Sequence, residues 1–207
     1  MLSVFAAAAE APDRPALVTD TTTLTFAELA QRVRGAAARL RDRGLDGDDP
    51  VALVADGDVP SLVAIHALMA LGTPALLLHP RLMVPERAAL LEAAGPIGTV
   101  DPAGFGQGTG PLPPDPVAPP ADERPLAVVH TSGTGGAPRG VILSRRAFAA
   151  AAAASAANLG WRDDDRWLLP LPVAHVGGLS IVTRCLLARR AVVLPADTAP
   201  AALLAAV

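Results

Sequence analysis

The stretch His130-Thr-Ser-Gly-Thr-Gly-Gly-Ala-Pro-Arg-Gly-Val141 holds the densest chemical signal in the chain. It directly follows the apolar run Leu126–Val129, which reads as a buried strand. Thr131, Ser132, Gly133, Thr134, Gly135 and Gly136 leave many backbone amides free of side-chain cover. Such a loop wraps phosphate oxygens with its amides, adds hydroxyl donors, and draws charge from Arg139. Pro138 stiffens its exit. The bland reading is a turn between two strands, but Thr-Ser-Gly-Thr-x-Gly-x-Pro-x-Gly after a strand is far more specific than a lone glycine run. The loop is not a Walker A sequence, because no Gly-x-x-x-x-Gly-Lys-Ser/Thr fits it. Nor is it a dinucleotide fingerprint, because Pro138 occupies the last glycine position.

Other reactive residue types carry less. His66, His79, His130 and His175 are scattered, without ligand spacing among themselves or with Cys185, so no zinc site is expected. Asp163-Asp-Asp165 reads as a polar turn, its carboxylates adjacent and not converging. A single cysteine excludes an internal disulfide and fits a reducing compartment.

At 207 residues, 51% hydrophobic and 18% charged, the chain can bury a core of one domain or one and a half. A net charge of −3 gives no basic field for nucleic acid or anionic lipid, so neither partner is expected. The alanine run 147–157 is too short and weakly apolar to span a bilayer, and the N-terminal apolar run lacks a basic flank. A soluble, cytoplasmic protein follows. All 17 basic residues are arginine.

The elements that must position the loop alternate strand and helix. Short strands are expected at 15–19 and 23–25. Thr25-Phe-Ala-Glu28 has the form of a capping box, opening a helix that Gly44 stops. Strands at 51–55, 74–78 and 96–100 alternate with helices at 60–71 and 84–94. Beyond the loop, Ser144 caps an alanine-rich helix to about Leu159, Trp167–Leu169 is a strand, Gly177 and Gly178 open a helix to about Ala188, and Ala191–Leu194 is a strand. This alternation predicts an α/β fold with mostly parallel sheets flanked by helices. Residues 1–100 form a first βα subdomain, 101–124 a Gly/Pro-rich linker or surface loop, and 125–207 a second βα segment carrying the phosphate-binding loop. The chain stops at Leu203–Val207, within what reads as a new helix, so it is expected to be incomplete.

On the residues Thr131, Ser132, Gly133, Thr134, Gly136, Pro138 and Gly140 the chain resembles the adenylate-forming superfamily, which includes acyl-CoA synthetases, luciferases and peptide-synthetase adenylation domains. Gly135 stands where that family usually has threonine, and Arg139 where it has lysine; arginine keeps the charge but presents a planar fork. Leu24–Leu29 and Gly44–Val51 resemble two earlier family segments, with Asp48 replacing a usual glycine. Leu169-Pro-Leu-Pro-Val-Ala-His-Val-Gly-Gly-Leu179 resembles a second landmark, beside the acyl pocket. Together with Arg184 this landmark most resembles the o-succinylbenzoate–CoA ligases of menaquinone synthesis.

The resemblance implies the N-terminal subdomains of an enzyme that joins a small-molecule carboxylic acid to AMP and then to coenzyme A, using ATP and Mg²⁺. It assigns Thr131–Gly136 and Arg139 to the phosphates, with Thr131 also reaching Mg²⁺. It assigns His175, Gly177, Gly178 and Arg184 to the acyl pocket. His175 either gates that pocket or is a hydrogen-bonded core or cap residue. Arg184 either pairs with the aromatic carboxylate of a di-acid or is a solvated surface residue. No acidic residue occurs between Leu168 and Leu194, against an amino-acid substrate. The family's adenylation lysine is missing, because the chain has no lysine, so no catalytic residue is expected and the chain alone should be inactive. Alternatives are a fatty or aryl acyl-CoA ligase and a non-catalytic binding module; a homodimer is left open.

Overall fold

The computed structural model describes residues 1–105, 120–131 and 139–205. Its elements, in order, begin with α1 (Val4–Glu10), β1 (Pro15–Val18), β2 (Thr23–Thr25), α2 (Phe26–Asp42), β3 (Val51–Val54) and α3 (Val59–Leu71). Then come β4 (Ala75–Leu78), α4 (Val84–Ala94), β5 (Gly98–Val100), a single 3-10 turn at Pro102–Phe105, β6 (Pro125–Thr131) and β7 (Arg139–Ser144). The remainder is α5 (Arg145–Leu159), β8 (Arg166–Leu168), α6 (Val176–Ala188), β9 (Ala191–Val193) and α7 (Pro200–Ala205).

Helix boundaries fall where the caps put them. The Thr25 hydroxyl accepts from the Glu28 amide at 3.2 Å, and Glu28 Oε2 accepts from the Thr25 amide at 2.8 Å, as the capping box predicts. Asp58 caps α3 through the Ser61 amide, and Gly72, at φ +73°, ends it in the left-handed region. Ser144 caps α5 through the Ala147 amide at 3.2 Å.

The strands form two sheets, β2-β1-β9-β8 and β5-β3-β4-β6-β7. Both are mostly parallel, as the βα alternation predicts; β1–β2 and β6–β7 are antiparallel. Each sheet draws strands from both sides of residues 101–124. The β6–β7 hairpin is longer than the apolar pattern suggests, since the ladder runs out to the pair Thr131–Arg139. Backbone pairing carries it there without any apolar side-chain signal.

Successive residues of β3 and β4 alternate between two cores. Val51, Leu53, Ala75 and Leu77 join the large core shared with the helices, whereas Ala52, Leu76 and Leu78 meet Leu90 of α4 on the opposite face. Burial on both faces is why these strands read as unbroken apolar runs. α3 packs between α2 and the β3–β4 strands, and its segment Ser61–Met69 is buried throughout. The described ends of the Gly/Pro-rich stretch are tied to this body. Phe105 is buried, with Arg39 lying 5.0 Å over its ring. Arg124 donates to the Gly72 carbonyl at 3.1 Å.

Candidate functional site

β6 and β7 present the two ends of the glycine-rich loop side by side, at the carboxyl edge of the parallel strands β3, β4 and β6. Ligands bind at that edge in open α/β sheets. The phosphate-site residues Ser132, Gly133, Thr134, Gly135 and Gly136 lie outside the described residues. Of Thr131 and Arg139 only the backbone pairing is described. Behind the loop, His130 is half-buried on β6, and burial pushes its imidazole pKa below the ordinary value.

The acyl-pocket residues lie on α6 or immediately before it. His175 is the N-cap residue and is exposed, with no side-chain cap bond. Gly178 is buried in the first turn. A Cβ there would stand 2.3 Å from the Pro172 carbonyl oxygen, so only glycine lets the helix start this close to the Pro170–Pro172 segment. Gly177 and Arg184 are seven positions apart, two turns along one helix face, and both line a cavity of about 630 Å³ with Trp167, Leu171, Ser180 and Ile181. Gly178 and His175 stand outside that lining.

Arg184 is half-buried, with its guanidinium carbon 5.4 Å from the centre of the Trp167 ring. Its Nε is buried and has no acceptor among the described residues. A buried donor of this kind calls for an explanation, because native structures leave few unmet. Arg189 and Arg190, the two neighbouring arginines, are both committed. Arg189 donates to Glu10 at 2.9 Å, and Arg190 donates to the Arg162 carbonyl at 2.7 Å and to Asp163 at 3.0 Å. Asp163 also accepts from Arg14, and this holds its carboxyl below the usual range. The aspartate turn therefore serves as an anchor for these cations. Beside Arg184, burial pushes the Cys185 thiol up to about 12, so it stays protonated and offers no nucleophile.

Two residues that sequence reasoning passed over belong here. Trp167, on β8, supplies the face on which Arg184 lies. His79, at the end of β4, stacks against His175 with ring centroids 5.5 Å apart. His79 lines a second cavity, of about 400 Å³, with Asp56, Arg81 and Asp197; Pro170 and Leu171 belong to the walls of both cavities. Leu78-His-Pro80 at a strand end was the available signal, but it carries no motif.

Residues 4–101 and 98–207 match the AMP-binding enzyme family. The chain is 32% identical over 185 residues to the 2-succinylbenzoate–CoA ligase of Bacillus cereus, covering 84% of this chain and 38% of that protein. It superimposes with a TM-score of 0.89 and 27% identity on o-succinylbenzoate CoA synthetase from Bacillus subtilis in complex with its acyl-adenylate intermediate. That match covers 98% of this chain and 57% of the other. The same enzyme in complex with ATP and magnesium ion gives a TM-score of 0.88, with 59% of it covered. The chain thus spans well under half the length of the curated relative. No helix among the described residues is long and apolar enough to cross a membrane. With the family matched across both halves of the fold and with relatives that agree over nearly the whole chain, this protein belongs to the AMP-binding enzyme family.

Proposed function

We propose that this chain is the N-terminal part of a cytoplasmic ligase that activates o-succinylbenzoate with ATP and passes the acyl group to coenzyme A. The observation that carries the choice of acid is Arg184. It lines a cavity and lies on Trp167, while the two neighbouring arginines are spoken for. A guanidinium so placed pairs well with a planar carboxylate, and its indole support suits an aromatic acid. The second carboxylate of a di-acid is then free to react.

Activation joins the reacting carboxylate to the α-phosphorus of ATP and releases pyrophosphate; the coenzyme A thiol then displaces AMP. ATP would meet the Thr131–Gly136 loop and Arg139, with Mg²⁺ on its phosphates and Thr131 at hand. The chain's contribution to the first step is to bind and orient, since it has no lysine to supply the adenylation cation.

Calorimetric titration of the chain with o-succinylbenzoate, benzoate and octanoate tests the reading. Tighter binding of the di-acid, lost in Arg184→Ala, is expected. Equal affinity for all three acids would refute the choice of substrate.

A further inference from the structure

His79 directly follows β4, which pairs through Ala75–Ala127 and Leu76–Val128 with β6, the strand that leads into the glycine-rich loop. Its ring also meets that of His175, tilted by 46°. His79 thus stands between the two stretches that the site is built from, and it comes from a third element.

Its own orientation is fixed. Nδ1 accepts from the Arg81 amide at 3.0 Å, so that nitrogen is unprotonated and the ring proton sits on Nε2. His175 is exposed and has no cap bond, and the aromatic contact described for its ring is with His79. The Pro170–Leu171 wall beside it is shared by both cavities.

We propose that His79 is a positioning residue, holding the His175 imidazole in one orientation at the start of α6 for as long as His79 is neutral. The functional side of this inference rests on the acyl-pocket reading above. Acid breaks the arrangement, because a proton on Nδ1 abolishes the bond from the Arg81 amide. The groups facing His79 are His175 from α6, Arg81 from its own turn, Asp56 from the β3 exit, and Asp197 across the cavity. Burial chiefly, then the charges of His175 and Arg81, hold its pKa below the ordinary value, with Asp56 opposing them. His79 is therefore neutral at pH 7 and the contact is intact there.

The test uses the chain itself, with His79→Phe keeping a ring without a proton and His79→Ala removing the ring. Nuclear Overhauser contacts between the two imidazoles are expected in the wild type at pH 7.5 and should vanish as His79 titrates. His79→Phe, which like acid loses the bond from the Arg81 amide, should show the acid-state contacts at every pH; His79→Ala should leave the His175 χ1 couplings averaged. Binding of o-succinylbenzoate should weaken roughly 3- to 10-fold in His79→Ala, the range expected for one unrestrained side chain, and by part of that in His79→Phe. Absence of the ring contact in the wild type, or unchanged His175 couplings and affinity in His79→Ala, overturns the proposal. Should the wild type not bind the acid at all, the acyl-pocket reading fails, and the ring contacts and couplings alone then decide the positioning role.

Discussion

Arg184 lies over the face of Trp167, its guanidinium carbon 5.4 Å from the ring centre, and the pair forms one wall of the cavity at the start of α6. A guanidinium held over an indole by a cation–π contact still has terminal N–H groups to offer a carboxylate. Arg184→Ala should therefore cost o-succinylbenzoate about 2 kcal/mol of binding, typical of a charge-assisted pair, and change 4-oxo-4-phenylbutanoate, which lacks the ring carboxylate, little. Arg184→Lys should recover only part of this, because a point charge cannot reproduce the fork. Calorimetry of both variants against both acids decides; equal losses on the two acids would mean that Arg184 shapes the wall and pairs with nothing.

Gly178 offers a packing test of the same region. An alanine there would set its Cβ 2.3 Å from the Pro172 oxygen and 2.7 Å from the Pro172 carbonyl carbon, both backbone atoms. The helix start or the Pro170–Pro172 segment must then move. A loss of roughly 1–3 kcal/mol is expected from such overpacking, with weakened acid binding. Gly177→Ala meets only the tip of Leu171, at 3.1 Å, and should be milder. Urea unfolding of the two variants should rank them in that order.

Arg145 was legible only as the residue after a helix cap, yet it is 3% exposed. It donates to the Met69 carbonyl at 2.8 Å and to the Leu2 carbonyl, joining the ends of α3 and α5 to the N-terminus. Removing it in Arg145→Met strands two buried acceptors, at roughly 1–3 kcal/mol each. Unfolding free energy should fall accordingly and the N-terminal helix should fray first in hydrogen exchange. Unchanged stability would show that water replaces both bonds.

These cases mark what sequence patterns reach. The strand leading into the glycine-rich stretch was legible because its apolar run is local to Leu126–Val129. The capping box at Thr25–Glu28 and the Ser144 cap were legible for the same reason, and Gly177 with Arg184 became a pair once a helix was read there. The division into two sheets was not, because β1 finds β9 across most of the chain and no local pattern records it. Trp167 beneath Arg184, and His79 against His175, depend on how those distant elements pack. The landmark singled out Arg184, but the partners that set it apart from Arg189 and Arg190 come from packing.

His66 supplies a pH-dependent stability that is independent of the site. It is 4% exposed within α3, and burial pushes its pKa from 6.5 to about 4. The folded state thus binds fewer protons than the unfolded one between those values, so stability rises with pH across the window. The contribution is complete above about pH 6.5, declines as pH falls, and is gone below about pH 4, where both states are protonated. Linkage puts its loss between pH 7 and pH 5 at about 2 kcal/mol. His66→Asn, which does not titrate there, should show a correspondingly flatter curve over the same interval, although it is less stable at pH 7. Urea denaturation at pH 7, 6 and 5 measures both slopes; parallel curves would mean that His66 is protonated in the folded chain.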